Sequence, residues 1–110
     1  MRILLEALQA GRLFELTETS KRGAFDFLGR VLEAIPEIPD DSGVVEAMLA
    51  REQMGNTAIA PGVACPHARV DGVSENIFCA LGWSQAGIDY ETEDQNRIHL
   101  VVAYWIPDSQ

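Results

Sequence analysis

The strongest structural signal in the sequence is an apolar stretch near its end, Ile98-His99-Leu100-Val101-Val102-Ala103-Tyr104-Trp105-Ile106. A second near-continuous apolar run precedes it, Ile77-Phe78-Cys79-Ala80-Leu81. Turn residues bound both runs, and runs of this kind are typical of strands that are buried on both faces of a sheet. We therefore predict an α/β fold in which helices lie above and below a sheet.

One long helix is predicted in the first third of the chain. Over residues 20–35, apolar side chains recur at spacings of three and four, which places them on one face of a helix. Thr19 or Ser20 can cap the first turn of this helix, and Pro36 is expected to end it.

Three shorter elements complete the prediction. A second helix starts near residues 40–42, carries Val45, Met48 and Leu49 on its apolar face, and ends at Gly55. Residues 13–16 are predicted to form a short strand, and residues 3–8 form only a short apolar stretch that breaks off at Gly11. No repeat or low-complexity tract interrupts the chain, so residues 1–110 are expected to form one domain.

Composition and charge narrow the class of protein. The chain has 110 residues and a formal charge of −9, from 17 acidic and 8 basic side chains. This charge argues against nucleic acid or an anionic membrane as the main partner, because both are bound through basic patches. No run of about 18 apolar residues predicts membrane insertion, and the first residues do not resemble a signal peptide. We expect a cytoplasmic protein whose two cysteines are free thiols.

The end of the chain raises a question about how the sheet is covered. The predicted last strand reaches Pro107, and the sequence stops three residues later. Few elements are then left to cover a sheet that is buried on both faces. Two explanations stay open: another chain, such as a second copy in a homo-oligomer, covers the sheet, or the sequence belongs to a longer domain.

The chemistry of the chain is concentrated in residues 51–69. Small residues, glycines and prolines surround His67 there, and an arginine stands at each end of the segment. Glycine permits backbone conformations that turn N–H groups toward an anion. Pro66 favours an extended Cys65, so a strand over residues 63–65 should end by presenting His67.

One function open to these residues is to accept and hold a phosphoryl group. An imidazole is partly neutral near pH 7, so a ring nitrogen of His67 is available as a nucleophile. Arg51 and Arg69 could hold the oxygens of a transferring phosphoryl group. Thr57 could bind a phosphoryl oxygen or the second ring nitrogen. On residue chemistry alone, a surface or structural histidine is the more common case, and Arg51 is equally expected to complement the dipole of the helix that it ends.

Other polar residues are interpreted as structural. Cys65 and His67 are too few for a zinc site, which takes about four ligands, so we expect no metal and no cofactor. His99 lies inside the longest apolar run and is interpreted as a core or edge residue. Cys79 is interpreted as core packing, and the acidic residues 87–96 as a solvated connection.

The segment 51–69 closely resembles the signature of the fructose/mannitol-class IIA domains of the bacterial phosphoenolpyruvate-dependent sugar phosphotransferase system, a class that includes the nitrogen-regulatory IIA protein. The family pattern is an Arg-Glu pair, a glycine-rich turn, and a short apolar strand that ends in Pro-His. It is matched here by Arg51-Glu52, Gly55-Asn56-Thr57-Ala58-Ile59-Ala60, Gly62-Val63-Ala64-Cys65 and Pro66-His67. Weaker similarity extends over nearly all of the chain.

The resemblance implies a mixed sheet flanked by helices and a phosphocarrier function. The histidine that matches the family's active residue is His67, with Arg51 as its neighbouring cation, and the donor is the histidine-containing phosphocarrier protein. In sugar-transporting members the phosphoryl group passes to a cysteine of a IIB domain, whereas in regulatory members the phosphorylation state is the signal. A non-catalytic module of IIA ancestry that binds a regulated protein is the alternative.

Two departures from the family pattern carry structural expectations. Ala58 and Ala60 replace glycines that are common in the turn, so a positive φ at either position would strain the backbone. The sequence also stops before the C-terminal helices of the family, so the fold is expected to be incomplete relative to it.

Overall fold

The computed structural model describes residues 2–39, 42–70 and 76–107. Three helices and six strands follow one another along the chain. They are α1 (Arg2–Gln9), β1 (Leu13–Glu15), α2 (Lys21–Glu33), α3 (Val44–Gln53), β2 (Ala58–Ala60), β3 (Val63–Ala64), β4 (His67–Val70), β5 (Phe78–Ile88) and β6 (Ile98–Pro107).

The strands form one mixed sheet with the order β1-β5-β6-β3-β2, and β4 also pairs with β6. The two longest strands, β5 and β6, are antiparallel and occupy its centre. β3 pairs in parallel with the start of β6 and β4 with its end, so the two short strands follow each other along one side of β6. The predicted mixed sheet flanked by helices is confirmed.

The two faces of the sheet carry different layers. α2 and α3 cover one face and enclose the main core, which includes Phe25, Met48, Val101 and Trp105. α1 packs against β5 on the other face. Ala7, Cys79, Leu81 and Val102 are buried there, and we call these residues, with the partly buried residues that pack against them, the α1-side cluster.

The partly buried members of the α1-side cluster are Ile3, Leu4, Cys65, Leu100 and Tyr104. Successive side chains of a strand point to opposite faces of a sheet, which explains how β6 contributes to both layers. Val101 and Ala103 face the main core, whereas Leu100, Val102 and Tyr104 face α1. β6 therefore lies between two apolar layers, and its α1 side is only partly buried at Leu100 and Tyr104.

The predicted helices are confirmed with small shifts of their ends. Ser20 caps α2, because its Oγ accepts a hydrogen bond of 3.0 Å from the Gly23 amide, and α2 ends at Glu33 before Pro36. α3 begins at Val44, after Gly43 in a left-handed conformation with φ of 68°. Asp40 and Asp41, two of the predicted starting points of α3, lie outside the described residues.

Three expectations need correction. β5 continues to Ile88, well past the predicted end at Leu81, so the solvated connection is shorter than residues 87–96. Residues 3–8 lie within a helix, α1. His99 is exposed on β6, so it is not a core residue, and its Nδ1 lies 2.7 Å from the Ser84 carbonyl oxygen.

The alanines of the signature segment are not strained. Both Ala58 and Ala60 lie in β2, and neither has a positive φ. The nearby positive φ of 82° falls on Gly62, where a side chain is absent. In the described part of the chain, no helix has the length and apolar character needed to cross a membrane.

Candidate functional site

His67 is the first residue of β4, and the neighbouring main chain fixes its place on the sheet. It pairs with Tyr104 of β6, whose amide donates a hydrogen bond of 2.9 Å to the Pro66 carbonyl oxygen. Pro66 is fully buried and His67 is half-buried. Because Pro66 cannot donate a ladder hydrogen bond, β3 ends before it and β4 begins after it.

The imidazole of His67 has one ring nitrogen next to a carbonyl group. Its Nδ1 lies 3.3 Å from the carbonyl oxygen of Cys65. A carbonyl oxygen only accepts hydrogen bonds, so this contact is a hydrogen bond when Nδ1 carries the proton. The contact therefore favours the tautomer in which the lone pair is on Nε2.

The strand register places His67 on the face of the sheet that α1 covers. Ala68, the next residue of β4, belongs to the main core. Its neighbours His67 and Arg69 therefore point to the opposite face, because side chains alternate along a strand. Arg69 is exposed there, and Cys65 packs in the α1-side cluster.

Arg51 approaches the segment from a different element. It lies in the last turn of α3, and its Nη1 donates a hydrogen bond of 2.9 Å to the Gly55 carbonyl oxygen. This contact matches the interpretation of Arg51 as a cation that complements the end of a helix. Within residues 2–39, 42–70 and 76–107, no hydrogen bond joins His67 to Arg51 or Thr57.

The hydroxyl group of Thr57 is bound inside the protein. Thr57 is 5% exposed, and its Oγ1 lies 2.6 Å from Glu52 Oε1 and 2.5 Å from the Tyr90 hydroxyl oxygen. The Thr57 amide donates to the second oxygen of Glu52 over 3.1 Å. The hydroxyl and amide groups of Thr57 thus face Glu52 and Tyr90. The predicted contact of Thr57 with a phosphoryl oxygen or with the second ring nitrogen of His67 stays a prediction.

A largely buried ion pair adds Lys21 to the group formed by Glu52, Thr57 and Tyr90. We call these four residues the buried polar cluster. Lys21 Nζ, at the start of α2, lies 3.1 Å from Glu52 Oε2, and the two side chains are 17% and 5% exposed. The same ammonium group lies 4.5 Å from the centre of the Tyr90 ring, a cation–π distance. Burial raises the pKa of the Tyr90 hydroxyl far above its ordinary value, so this group keeps its proton and acts as a donor.

Asn56 connects the loop between α3 and β2 to the segment that carries Tyr90. Its Nδ2 donates to the Tyr90 carbonyl oxygen over 2.9 Å, and its Oδ1 accepts from the Ala58 amide over 2.8 Å. Consecutive residues of the signature segment, Asn56 and Thr57, are therefore both attached to Tyr90. Sequence reasoning gave Tyr90 no role, and the only signal was an aromatic residue inside an otherwise polar and acidic connection.

The two cysteines are poor nucleophiles in the folded chain. Burial raises the pKa of the Cys79 thiol to about 11, and it also raises the pKa of the Cys65 thiol. Nucleophilic cysteines need a lowered pKa, so the thiol beside His67 is a packing group.

Comparison with known proteins places this geometry in context. The profile of the family described as phosphoenolpyruvate-dependent sugar phosphotransferase system, EIIA 2, matches residues 10–110. The chain is 37% identical over 81 residues to the fructose-specific EIIABC component of the phosphotransferase system of Bacillus subtilis, a match that covers 74% of this chain and 13% of that protein.

Two solved structures share the fold. The nitrogen regulatory protein IIA-Ntr from Neisseria meningitidis superposes with a TM-score of 0.74 at 26% identity, over 87% of this chain and 64% of that chain. The enzyme IIAMTL in its complex with phosphorylated enzyme IIBMTL from Escherichia coli gives a TM-score of 0.72 at 19% identity, over 92% of this chain and 71% of that chain. The chain thus spans only part of the length of each of these proteins.

Proposed function

Because the chain belongs to the EIIA 2 family of the phosphoenolpyruvate-dependent sugar phosphotransferase system, we propose that His67 is a phosphoryl carrier. The observation that supports this most directly is the placement of its imidazole. The ring is half-buried at the first residue of β4, and its Nδ1 faces the Cys65 carbonyl oxygen at 3.3 Å. Nε2 is then the nitrogen with a lone pair available for attack.

The proposed transfer takes place between two histidines. The Nε2 lone pair of His67 attacks the phosphorus of the phosphohistidine of the histidine-containing phosphocarrier protein. A new N–P bond forms as the donor's N–P bond breaks, and the bonding electron pair returns to the donor's imidazole. The Nδ1 proton stays on His67, where the Cys65 carbonyl group stabilises the positive charge that develops on the ring.

Guanidinium groups are the proposed partners of the phosphoryl oxygens. Arg69 shares the face of β4 on which His67 lies, two residues away. Arg51 would have to exchange its hydrogen bond with the Gly55 carbonyl group for one with the phosphoryl group. Arginine suits this role because its planar fork can bind two oxygens of one group.

The test is phosphorylation of the folded chain. The protein is incubated with phosphoenolpyruvate, enzyme I and the phosphocarrier protein, and intact mass is measured for an acid-labile gain of one phosphate. The chain has two histidines, so His99→Ala is the matched control for His67→Ala. The gain should persist in the first variant and vanish in the second. A gain that survives in His67→Ala, or none in the folded wild-type chain, would refute the proposal.

The fate of the phosphoryl group separates two forms of this function. In the first form, suggested by the likeness to the fructose-specific EIIABC component, the group would pass to a cysteine of a IIB domain. In the second form, suggested by the likeness to a nitrogen regulatory protein, the phosphorylated state would itself act as a signal in the cytoplasm. Phosphorylation adds about two negative charges to a neutral ring, which can reverse a protein contact. Transfer of label from the phosphorylated chain to a IIB domain supports the first form.

A further inference from the structure

A buried hydrogen-bond chain runs from Tyr90 through Thr57 to Glu52, and its direction follows from the chemistry of its members. A carboxylate only accepts hydrogen bonds, so the Thr57 hydroxyl donates its proton to Glu52 Oε1 over 2.6 Å. The Thr57 oxygen can then accept from the Tyr90 hydroxyl, which lies 2.5 Å away and retains its proton. In this chain the Tyr90 hydroxyl donates, the Thr57 hydroxyl both accepts and donates, and the Glu52 carboxylate accepts.

The main chain connects Thr57 to the imidazole of His67. The Thr57 carbonyl oxygen accepts a hydrogen bond of 3.0 Å from the Cys65 amide. The carbonyl group of Cys65 is in turn the one that faces Nδ1 of His67 at 3.3 Å. Thr57 is thus linked, through the main chain of Cys65, to the carbonyl group that faces Nδ1 of His67.

We propose that Thr57, held by Glu52 and Tyr90, is a positioning residue that sets the orientation and tautomer of the His67 imidazole. Its kinetic consequence rests on the proposed function, whereas its effect on the tautomer does not. The buried side chain of Thr57 is 5% exposed, so it cannot be a contact surface for a partner protein. It acts through the Cys65 main chain, as a second layer of support that holds a reacting group in one geometry.

The matched variants are Thr57→Val and Thr57→Ser. Valine keeps the shape of threonine and removes the hydroxyl group, while serine keeps the hydroxyl group and removes a methyl group. The tautomer of each histidine is measured from two-bond proton–nitrogen correlations of the imidazole rings, at a pH where the rings are neutral. His99 is an internal control, because its Nδ1 faces the Ser84 carbonyl group, outside this hydrogen-bond chain.

The wild-type chain should show His67 mainly with its proton on Nδ1. In Thr57→Val, the ratio of the Nδ1–H to the Nε2–H tautomer of His67 should fall about threefold or more. This is the change expected when the hydrogen bond between Nδ1 and the Cys65 carbonyl oxygen is lost. Thr57→Ser should retain the wild-type ratio, and His99 should be unchanged in both variants. A folded Thr57→Val chain with the wild-type His67 ratio would overturn the proposal.

Phosphorylation kinetics provide the second readout. For Thr57→Val, kcat with the phosphocarrier protein should fall about threefold or more while KM is unchanged, because the partner does not touch Thr57. If the wild-type chain is not phosphorylated at all, the proposed function fails and the tautomer measurement still decides the role of Thr57. If Thr57→Val does not fold, Tyr90→Phe decides by the same tautomer criterion, since it removes only the hydroxyl group that donates to Thr57.

Discussion

Replacement of Glu52 by glutamine tests whether the buried polar cluster stabilises the fold. Glu52 accepts from Lys21 Nζ over 3.1 Å, from the Thr57 amide over 3.1 Å and from the Thr57 hydroxyl over 2.6 Å. Glutamine has nearly the same shape, but it has no charge and only one oxygen. In Glu52→Gln, an amide NH₂ group must face one of these three donors.

The expected loss follows from the number of hydrogen bonds to the carboxylate. Hydrogen bonds to a charged group are stronger than neutral ones by about 1 kcal/mol each, so three of them correspond to about 3 kcal/mol. This value agrees with the loss of about 3 to 5 kcal/mol that follows when one partner of a buried ion pair is removed. For a domain of this size, a loss of about 3 kcal/mol lowers Tm by about 12 °C.

The measurement is equilibrium unfolding in urea, monitored by circular dichroism, with the free energy of unfolding taken from midpoint and slope. The matched control is Asp26→Asn, which removes an exposed ion pair with Arg30 at 4.0 Å. An exposed pair of this kind contributes at most about 0.5 kcal/mol. If Glu52→Gln lost less than about 1 kcal/mol, close to the control, the inferred strength of the buried cluster would be wrong.

Three further results are expected. In Gly82→Ala, the new Cβ would lie 2.6 Å from Leu16 Cδ1, so overpacking should lower the stability by about 1 to 3 kcal/mol, and an unchanged Tm would contradict this. Cys79 has a pKa of about 11, so at pH 8 about one molecule per thousand carries its thiolate. Iodoacetamide should therefore modify Cys65 before Cys79 in the native chain, as measured by peptide mass spectrometry. Equal rates of modification would contradict the burial of Cys79. The raised pKa values of Cys79 and Tyr90 mean that the unfolded chain loses these protons first, so stability should be fully present below about pH 9 and fall as the pH rises toward 11. Urea midpoints measured across this range should show the decline, and Cys79→Ala should make it shallower.

Local patterns were sufficient to predict the elements that bury a continuous apolar face. The spacing of three and four over residues 20–35 predicted α2, and its cap at Ser20 is confirmed. The run over residues 98–106 predicted β6, whose side chains alternate between the main core and the α1-side cluster. In these elements, local propensity and tertiary burial favour the same structure.

The second half of β5 could not be predicted, because its burial depends on distant residues. Gly82 has no side chain, and the side chain of Leu16 fills the space beside it. Ser84 is buried, and its Oγ is satisfied there because it accepts a hydrogen bond of 2.9 Å from the Gly87 amide. These residues look like a turn in sequence, but they continue the strand once β1 and β6 pair with β5.

The candidate site also has one part that local sequence predicts and one part that depends on contacts between distant residues. The Pro-His pair and its short strand are local features, and the structure places His67 half-buried at the first residue of β4. The hydroxyl group of Thr57, by contrast, contacts that of Tyr90, which is 33 residues further along the chain. No spacing rule connects such residues, so only the folded chain reveals that the Thr57 hydroxyl faces inward.

The hydrogen bonds of the signature segment bear on how the proposed phosphoryl group on His67 would be held. The glycine-rich pattern predicted backbone N–H groups turned toward an anion. In the structure the Thr57 amide donates to Glu52, the Ala58 amide to Asn56 and the Cys65 amide to Thr57. These three amides are hydrogen-bonded within the protein and are not available to a phosphoryl group, and we expect side-chain cations to balance its charge. Arg69→Ala should therefore slow phosphorylation of His67 more than substitutions of residues in the loop between α3 and β3 do.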